Sequence, residues 1–347
     1  MKQVCSKPTN ASATCSLSWG RGSGRGRSFH DFLVASHPHN PPILLAGPTA
    51  VGKSAVALAL AETIGGEIIS VDSMQVYRGL DIGTAKPTAA ERARVPHHLI
   101  DVVELTQPFD AAKFVTLANL ALTEIQSRGH VPIFCGGTGL YFRAFLEGLG
   151  EAPPANPALR AELEATPLAE LLQELEECDP AAFETIDRKN PRRVIRAIEV
   201  IRLTGKPFSA QRAAWSHAAR MDPEDFQGTP HAFRFIGLTR APADLRSRLD
   251  ARVERMFSDG LVEETRRLLA RGLEQNKTAM QAIGYRQVVE HLRGESALAG
   301  TIELVKARTR RFAKRQMTWF RKQPGIHWIE LAPTDETNGI VEKLNLN

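Results

Sequence analysis

The chain has 347 residues, 43% of them apolar and 24% charged, as is typical of a globular protein with room for about two domains. No stretch approaches the roughly 20 apolar residues of a membrane-spanning helix, so we predict no membrane partner. The four cysteines form no CxxC pair or Cys/His cluster, and we find no signal peptide, which argues against a zinc site or export and predicts a cytoplasmic location. The net charge of +5 is informative only through its distribution.

Residues 1–40 show no hydrophobic period and are rich in serine, glycine and arginine, so we expect a disordered N-terminal extension. Five basic residues precede the first acidic one, Asp31, as in a transit peptide. An extension without function, or a start codon assigned too early, is the alternative that we favour.

Three short apolar runs alternate with helix-forming segments, which predicts a parallel sheet covered by helices on both faces. The runs are residues 43–46, 67–71 and 131–135. The first leads into a glycine loop, the second ends at Asp72-Ser73, and the third ends at Gly136-Gly137-Thr138. Because ligands of such sheets bind at the carboxyl ends of the strands, we place the functional site there.

The composition changes near Glu151, where three prolines interrupt the chain before a mostly helical stretch. An apolar run at 233–238 is predicted to return to the sheet, and 244–320 is again helical, with a break near 272–278. The expected organisation is a core formed by 41–150 and 231–330, a helical insertion at 151–230, and a C-terminal tail at 331–347.

The glycine loop fits the pattern G-x-x-x-x-G-K-[ST] in full, and it lies between a predicted strand and a predicted helix. Its backbone N–H groups and the helix dipole both point at a phosphate. Lys53 would neutralise terminal oxygens, and the Ser54 hydroxyl can hold Mg²⁺. The predicted diphosphate-binding residues are Gly47, Pro48, Thr49, Ala50, Val51, Gly52, Lys53 and Ser54. The motif predicts an α/β fold: a P-loop NTPase-like parallel sheet core flanked by helices, with a mainly helical insertion domain.

The loop recognises a diphosphate, which need not belong to ATP. In P-loop NTPases an apolar strand ending in Asp supplies a second contact to Mg²⁺. Here the strand at 131–135 ends in glycines, and the carboxylate is Asp72, after the second strand. An Asp followed by Ser is also a common helix cap, so a structural role for Asp72 is the alternative.

Several segments resemble the tRNA dimethylallyltransferase (tRNA isopentenyltransferase) family. They are 47–54, 72–79, 81–87, 97–101, 136–141, 190–197, 284–287 and 314–319. The resemblance covers nearly all of residues 43–328. The phosphate loop is shared with many families, whereas Asp-Ser-Met-Gln-Val-Tyr-Arg-Gly at 72–79 and Asp-Ile-Gly-Thr-Ala-Lys at 81–86 are far more specific.

The resemblance implies a tRNA prenyltransferase that moves a dimethylallyl group from dimethylallyl diphosphate to N6 of the adenosine 3′ of the anticodon (position 37). The products would be N6-(dimethylallyl)adenosine and diphosphate. The adenosine would be flipped into a channel, as enzymes acting on a base require. The implied cofactor is Mg²⁺ and the implied partners are the tRNA anticodon stem-loop and dimethylallyl diphosphate. We expect a monomer.

The resemblance also implies roles for single residues. Asp72 would be the general base, Thr138 would hydrogen-bond the diphosphate near the bond that breaks, and Lys53 would oppose the charge on the leaving group. The alternative for Thr138 is a turn or cap hydroxyl. Asp81, Thr84 and Lys86 would shape the channel, touch substrate or form a plain surface loop. His97 and His98 match a family pair, but packed or solvated histidines are the interpretation we favour, because no metal-ligand spacing surrounds them.

Eight basic residues and no acidic one lie between Lys306 and Lys322, which favours a phosphate-binding helix face over an ordinary solvated one. A second basic cluster spans 188–196. The tRNA-binding residues implied by the resemblance are Asp72, Ser73, Met74, Gln75, Thr138, Arg160, Arg192, Arg193, Val194, Ile195, Arg196, Gln281, Ala282, Ile283, Gly284, Tyr285 and Arg286. Trp215 and Trp319 could stack on bases, although core packing is the interpretation we favour.

Three positions depart from the family pattern. Asn156 stands where the family often has Asp, and Arg192 where it often has Gln. Pro242 stands where the family usually has an arginine thought to bind diphosphate, and Arg240 and Arg246 are the candidates to replace it. Two other functions fit the residues: a small-molecule or nucleotide kinase, which would turn over ATP, and a non-catalytic P-loop RNA-binding protein, which would not need Asp72.

Overall fold

The protein is described here from a computed structural model, which covers residues 41–149, 152–211 and 233–344. Six strands form one parallel sheet in the order β3-β2-β4-β1-β5-β6. The strands are β1 Ile43–Ala46, β2 Gly66–Val71, β3 His97–His98, β4 Val131–Gly136, β5 Arg234–Arg240 and β6 His327–Leu331. The predicted α/β sheet is confirmed. The sequence did not indicate the edge strands, because β3 has two residues and β6 is only partly apolar.

Helices cover the sheet and fill the connections between strands. They are α1 Lys53–Ile64, α2 Ala89–Arg94, α3 Ala111–Ser127, α4 Gly139–Glu147, α5 Pro157–Ala165, α6 Leu168–Cys178, α7 Pro180–Thr185, α8 Pro191–Thr204, α9 Pro242–Ser258, α10 Leu261–Ala270, α11 Tyr285–Leu292, α12 Leu298–Phe320 and α13 Thr337–Lys343. Several begin with proline at the first helical position, where its missing N–H has no helical partner to lose. None of the helices in the described ranges has the length and apolarity needed to cross a bilayer.

The two faces of the sheet bury different residues because side chains alternate along a strand. Leu44 and Ala46 of β1 pack on one face with residues of α3, α4, α11 and α12. Ile43 and Leu45 pack on the other face with residues of α1 and α13. The central strands are therefore buried on both sides, which explains why they read as continuous apolar runs.

Helices α5 to α8 lie in the chain between α4 and β5, and they have a core of their own. Leu163, Leu171, Leu175, Val194 and Ile198 are all almost fully buried in it. The remainder of the predicted insertion up to residue 230, Trp215 included, lies mostly outside the described residues, as does the predicted N-terminal extension.

The expected C-terminal tail at 331–347 was wrong for residues 331–344. Leu331 is the last residue of β6, which pairs with β5 in the sheet. Ile340 and Leu344, in and just after α13, are buried against the α1 face of the sheet. Apolar side chains at these positions hold the segment on the core.

Candidate active site

The sheet register brings three predicted strand ends together. Strand β4 lies between β1 and β2, and its Gly136 is level with both Ala46 and Val71. Adjacent strands are about 4.8 Å apart, so the loops after β1 and β2 begin about 10 Å from each other. The Gly137-Thr138 turn lies between them, and the Thr138 N–H donates to the Val71 carbonyl at 3.2 Å.

The phosphate loop has the backbone of an anion-binding nest. Gly47, Ala50 and Gly52 have φ values of 147°, 65° and 115°, in the region that L side chains rarely adopt. A side-chain carbon at Gly47 would lie 2.6 Å from the Leu238 carbonyl oxygen, so this position also requires the absence of a side chain. The loop ends where α1 begins, which places the positive end of the helix dipole at the nest.

Lys53 lies at the first position of α1 with its ammonium in the loop. Its Nζ donates to the Pro48 carbonyl at 2.8 Å. Burial lowers the pKa of Lys53 from its usual 10.5 to about 8, partly offset by Cys135 and Asp72. A cation that has lost hydration in this way is stabilised by an incoming anion. Ser54 follows it and is exposed.

The two carboxylate oxygens of Asp72 have different surroundings. Its Oδ1 accepts from the Met74 N–H at 2.8 Å and from the Gln75 N–H at 3.2 Å. Its Oδ2 receives no hydrogen bond from residues in the described ranges. The carboxylate is half-buried and close enough to Lys53 to raise its pKa. The capping role and a role in proton transfer are therefore compatible, because they use different oxygens.

Thr138 occupies the N-cap position of α4, but its side chain caps no helix N–H. Its Oγ1 instead accepts from the Ser73 N–H at 3.2 Å, beside Asp72. A hydroxyl that accepts one hydrogen bond still has its own proton to donate. The Thr138 O–H donates to none of the residues that the structure describes, and it lies between the phosphate loop and Asp72.

A cavity of about 820 Å³ opens at the end of the phosphate loop. Gly52, Lys53 and Ser54 line one wall, and Arg248, Arg252 and Arg255 of α9 line another. Further lining residues come from the segment 81–92. The cavity is therefore cationic on two sides, as a site for a diphosphate should be.

Arg252 is a candidate residue that the sequence interpretation missed. Burial lowers the pKa of its guanidinium, while the nearby Asp72 raises it. Since an arginine does not lose its proton in a protein, the guanidinium stays charged and poorly hydrated. The signal in the sequence was the spacing of Arg248 and Arg252, four apart and on one helix face.

Helix α12 carries an exposed basic face. Arg311, Lys314, Arg315 and Lys322 form no ion pair with any residue that the structure describes. Together with Thr318 and Trp319 they line a shallow cavity of about 470 Å³. At the other end of the helix, Lys306 pairs with Glu254 and Glu303, and Arg310 pairs with Asp250. The basic residues of this stretch that are both exposed and without an ion pair to a described residue therefore lie from Arg311 onwards.

Comparison with known proteins decides the family. The IPP transferase family model matches residues 75–323, which is more than half of the chain. The chain belongs to the IPP transferase family. The resemblance seen in the sequence is thereby confirmed, and membership in a family of prenyltransferases argues against the kinase and the non-catalytic alternatives.

Individual members of the IPP transferase family agree with this assignment over most of their length. The tRNA dimethylallyltransferase 1 of Citrifermentans bemidjiense is 47% identical over 83% of this chain and 91% of that protein. The solved structure of the full-length tRNA isopentenylpyrophosphate transferase of Bacillus halodurans has 38% identity and a TM-score of 0.64, covering 88% of this chain and 95% of that chain. A eukaryotic dimethylallyltransferase solved while acting on tRNA has 29% identity and a TM-score of 0.66, covering 84% and 74% respectively.

The segment after Asp72, residues 73–86, supports the site through hydrogen bonds within its own loop. The Gln75 amide donates to the Thr84 and Ala85 carbonyls and accepts from the Ser70 hydroxyl, so both of its donors and one of its acceptor positions are used within the loop. Lys86, whose side chain is 2% exposed, donates to Asp81, Asp101 and the Tyr77 carbonyl. These side chains hold the loop in place, and Asp81 and Lys86 line the cavity as an ion pair.

The family histidine pair has structural partners. His97 hydrogen-bonds the Val95 carbonyl, and His98 hydrogen-bonds Glu67, both near the amino ends of the strands. No group of three or more His, Cys, Asp or Glu residues suited to a metal ion occurs in the described ranges. Met74 is half-buried against the apolar core.

The predicted RNA contacts at 192–196 divide between the surface and the core. Arg192 and Arg193 are exposed, but Val194 and Ile195 are buried among the insertion helices. The side chains of Val194 and Ile195 lie on the apolar face of α8, which closes the core of the insertion, and contact of these two residues with RNA stays a prediction.

Arg160 and Arg196 both pair with Glu199, which is fully buried. Arg196 also donates to the Pro153 carbonyl at 2.6 Å. These bonds join α5, α8 and the chain that enters the insertion. The two arginines therefore satisfy a buried carboxylate. Arg160 uses only Nη2 for this and its side chain is 38% exposed, so the contact of these arginines with RNA stays a prediction.

The predicted RNA segments 192–196 and 281–286 meet at one backbone group. Arg192 and Gln281 both donate to the Lys277 carbonyl, at 3.0 and 2.8 Å. Both residues are exposed, so one surface spans the insertion and the core.

The rest of segment 281–286 is mostly internal. Ala282, Gly284 and Tyr285 are buried, and the Tyr285 hydroxyl donates to Glu264 at 2.6 Å. The side chains of Ala282 and Tyr285 fill the core around α10 and α11, and contact of this segment with RNA stays a prediction. Ile283 is half-buried, and Arg286 is exposed beside Glu290.

Neither predicted replacement for the family arginine lines the cavity. Arg240 is buried and donates to Asp244 and to the Val51 and Ala332 carbonyls, so it holds the phosphate loop from outside. Arg246 is exposed on α9. Pro242 is the first residue of that helix, far from its cavity-facing arginines.

Proposed function

We propose that this chain transfers the dimethylallyl group of dimethylallyl diphosphate to N6 of the adenosine 3′ of the anticodon in tRNA, releasing diphosphate. Membership in the IPP transferase family supports a tRNA prenyl transfer. The observation that carries the proposal is the position of Asp72: one carboxylate oxygen bonds with no described residue, and the carboxylate lies across β4 from the phosphate loop.

At the donor end, the nest amides, Lys53 and Arg252 hold the diphosphate. Negative charge grows on its bridging oxygen as the carbon–oxygen bond breaks, and these fixed positive groups stabilise that charge. The Thr138 hydroxyl donates a hydrogen bond to the leaving oxygen. Since Arg252 lines the cavity and Pro242 does not, we assign to Arg252 the contact that the family makes with an arginine at the latter position.

Mg²⁺ fits this site as a partner of the donor phosphates. The Ser54 hydroxyl, exposed at the start of α1, is the protein group that would hold it. The described residues contain no group of three or more His, Cys, Asp or Glu residues suited to a metal ion. Mg²⁺ does not require one, because it commonly keeps several waters and binds through substrate phosphates. Bound there, the ion would offset diphosphate charge.

At the acceptor end, the N6 amine is a weak nucleophile because its lone pair is delocalised into the purine. Asp72 Oδ2 accepts the N6 proton while nitrogen attacks the first carbon of the dimethylallyl group. The electron pair of the breaking carbon–oxygen bond leaves on diphosphate. A positioned general base of this kind contributes roughly 10²–10⁴-fold to the rate.

The RNA side is the basic face of α12 together with Arg192, Arg193, Gln281 and Arg286. Unpaired cations attract backbone phosphates. The side chain of Trp319, in the cavity between Arg315 and Lys322, is placed to contact a sugar or base. The monomeric state and cytoplasmic location stay predictions.

The test is incubation of the purified chain with unmodified tRNA, Mg²⁺ and labelled dimethylallyl diphosphate, followed by nucleoside analysis. Label is expected on adenosine. Asp72→Asn should reduce the rate by roughly 10²–10⁴-fold with RNA affinity unchanged, because Asn keeps the Oδ1 acceptor but cannot take the proton.

The matched control is Asp110→Asn, the same change at the N-cap of α3, where Oδ1 accepts from the Lys113 N–H. This variant should transfer the group at the wild-type rate. Absence of labelled adenosine with the wild-type chain would refute the function, and a wild-type rate in Asp72→Asn would refute the role of the base.

A further inference from the structure

Gln316 of α12 joins two parts of the catalytic edge through one side chain. Its Oε1 accepts from the Thr49 N–H at 2.9 Å, and its Nε2 donates to the Gly137 carbonyl at 2.9 Å. Thr49 lies in the phosphate loop, and Gly137 directly precedes Thr138. The glutamine is 7% exposed, so neither of its bonds can be replaced by bulk water.

The hydrogen bond from the Thr49 N–H to Gln316 also fixes the backbone conformation of the phosphate loop. An amide N–H of such a loop can point at the ligand or away from it. The Thr49 N–H is committed to Gln316, which settles the orientation of the peptide plane between Pro48 and Thr49. This plane lies within the nest, between Gly47 and Ala50.

Helix α12 also lies against the turn that carries Thr138. A side-chain carbon at Gly137 would be 2.2 Å from Gln316 Nε2, and one at Gly139 would be 2.4 Å from the Trp319 ring. With so little space, a shift of α12 cannot leave this turn in place.

The same turns of α12 present the unpaired cations. Lys314 and Arg315 directly precede Gln316 and are exposed, whereas the glutamine faces inward. Trp319 contacts both the inward and the RNA-facing surface, since it packs on Gly139 and lines the basic cavity. RNA bound to this face therefore contacts the same helix that bonds with the phosphate loop and the Thr138 turn.

We propose that Gln316 is a positioning residue that couples RNA docking on α12 to binding of the donor's diphosphate. The inference rests on the proposed function, because it takes the α12 face as the RNA surface. RNA phosphates bound to Lys314 and Arg315 reduce the motion of the helix. Through its two hydrogen bonds, Gln316 then reduces the motion of the phosphate loop and of the Thr138 turn. A loop that is already ordered loses less entropy when diphosphate binds, so the coupling is positive.

The experiment measures the dissociation constant of inorganic diphosphate with Mg²⁺ by calorimetry, with and without a saturating unmodified anticodon stem-loop RNA. In the wild-type chain, RNA should tighten diphosphate binding by about fivefold or more, the lower end of typical coupling between sites. Gln316→Met fills the same space without either hydrogen bond. It should bring the ratio close to one and leave the affinity for RNA alone unchanged.

Two control variants separate this role from general stability and from RNA affinity. Gln126→Met removes another buried glutamine, at the end of α3, and should keep the wild-type ratio. Lys314→Ala should weaken RNA binding, but it should keep the ratio once RNA is saturating.

An unchanged ratio in Gln316→Met, or the absence of coupling in the wild-type chain, would overturn the inference. If Gln316→Met is unfolded at the assay temperature, Gln316→Glu decides, since it keeps an acceptor for Thr49 and loses the donor to Gly137. Reduced coupling in that variant supports the inference, and wild-type coupling overturns it. Product formation by the wild-type chain is scored separately, so a failed coupling experiment does not count against the proposed function.

Discussion

At the scale of single residues, Asp72 combines an observed structural role with the chemical role proposed for it. Its Oδ1 closes the turn after β2 by accepting two backbone N–H groups. This leaves the carboxylate held in one orientation with Oδ2 directed elsewhere. A base that is fixed in this way loses little entropy when the acceptor nitrogen arrives.

The lowered pKa of Lys53 allows a prediction of how the affinity for the donor depends on pH. Because burial lowers its pKa to about 8, the free protein loses this positive charge as the pH rises through 8. Affinity for dimethylallyl diphosphate should therefore be full below pH 7 to 8 and should fall by up to about tenfold per pH unit above it. Titration calorimetry between pH 7 and 9.5 would measure this decline.

The matched variant for this titration is Lys53→Met, which has no charge to lose. It should bind the donor weakly throughout, and without the decline above pH 8. A wild-type affinity that stays flat to pH 9.5 would contradict the position of the ammonium in the diphosphate site.

At the scale of elements, α9 begins with a proline where the resemblance predicts an arginine, and it carries other arginines to the cavity. Pro242 opens the helix, where its ring costs no helical hydrogen bond. Arg248 and Arg252 follow on the face towards the cavity, and Arg248 also donates to the Ala50 carbonyl of the phosphate loop. One helix thus supplies both support and charge to the nest.

Arg252→Gln should raise the KM for dimethylallyl diphosphate by roughly 10- to 100-fold, the loss expected for a hydrogen bond to a charged group. Steady-state kinetics at saturating tRNA would measure it. Arg246→Gln is the matched control, since Arg246 is exposed on the same helix and lines no part of the cavity. Equal effects of the two substitutions would mean that Arg252 contributes only to the overall positive field.

At the scale of the whole molecule, the amino edge of the sheet is held by a buried carboxylate. Glu67 of β2 is 2% exposed, and it bonds with Arg128, His98 and His130. Burial alone would raise the pKa of Glu67, but hydrogen bonds from these three partners lower it to about 2. The cluster ties β2 to β3 and to the turn before β4, at the edge opposite the active site.

Glu67 should therefore contribute to stability in a pH-dependent way. Its folded pKa of about 2 lies below its usual 4.5, so its contribution is complete above 4.5 and disappears as the pH falls towards 2. The shift corresponds to about 3 kcal/mol. Glu67→Gln should lower the free energy of unfolding at pH 7 by about that amount and flatten its decline in acid, as urea titrations at pH 7 and pH 3 would show.

Glu62→Gln is the comparison for this test. Glu62 makes a surface pair with Arg94, and exposed pairs are worth about 0–1 kcal/mol. If the two substitutions had the same small effect, the buried cluster would not stabilise the sheet.

The sequence by itself determined the sheet, the phosphate loop, and the positions of Asp72 and Thr138 at strand ends. These features depend on local patterns: continuous apolar runs, glycines where φ is positive, and polar residues directly after buried strands. In a parallel sheet the carboxyl ends of neighbouring strands must lie at one edge, so local patterns were enough to predict which strand ends meet at the candidate site.

Only the tertiary structure decided which neighbours in a motif face outward. Val194 and Tyr285 fill cores, whereas Arg193 and Arg286 in the same motifs are exposed. Arg252 and Gln316 join the site because α9 and α12 pack against loops far away in the chain: Gln316 and Thr49 are 267 residues apart. The direction of a helical side chain depends on which partner buries the opposite face, and that partner is set by long-range packing that a local pattern does not encode.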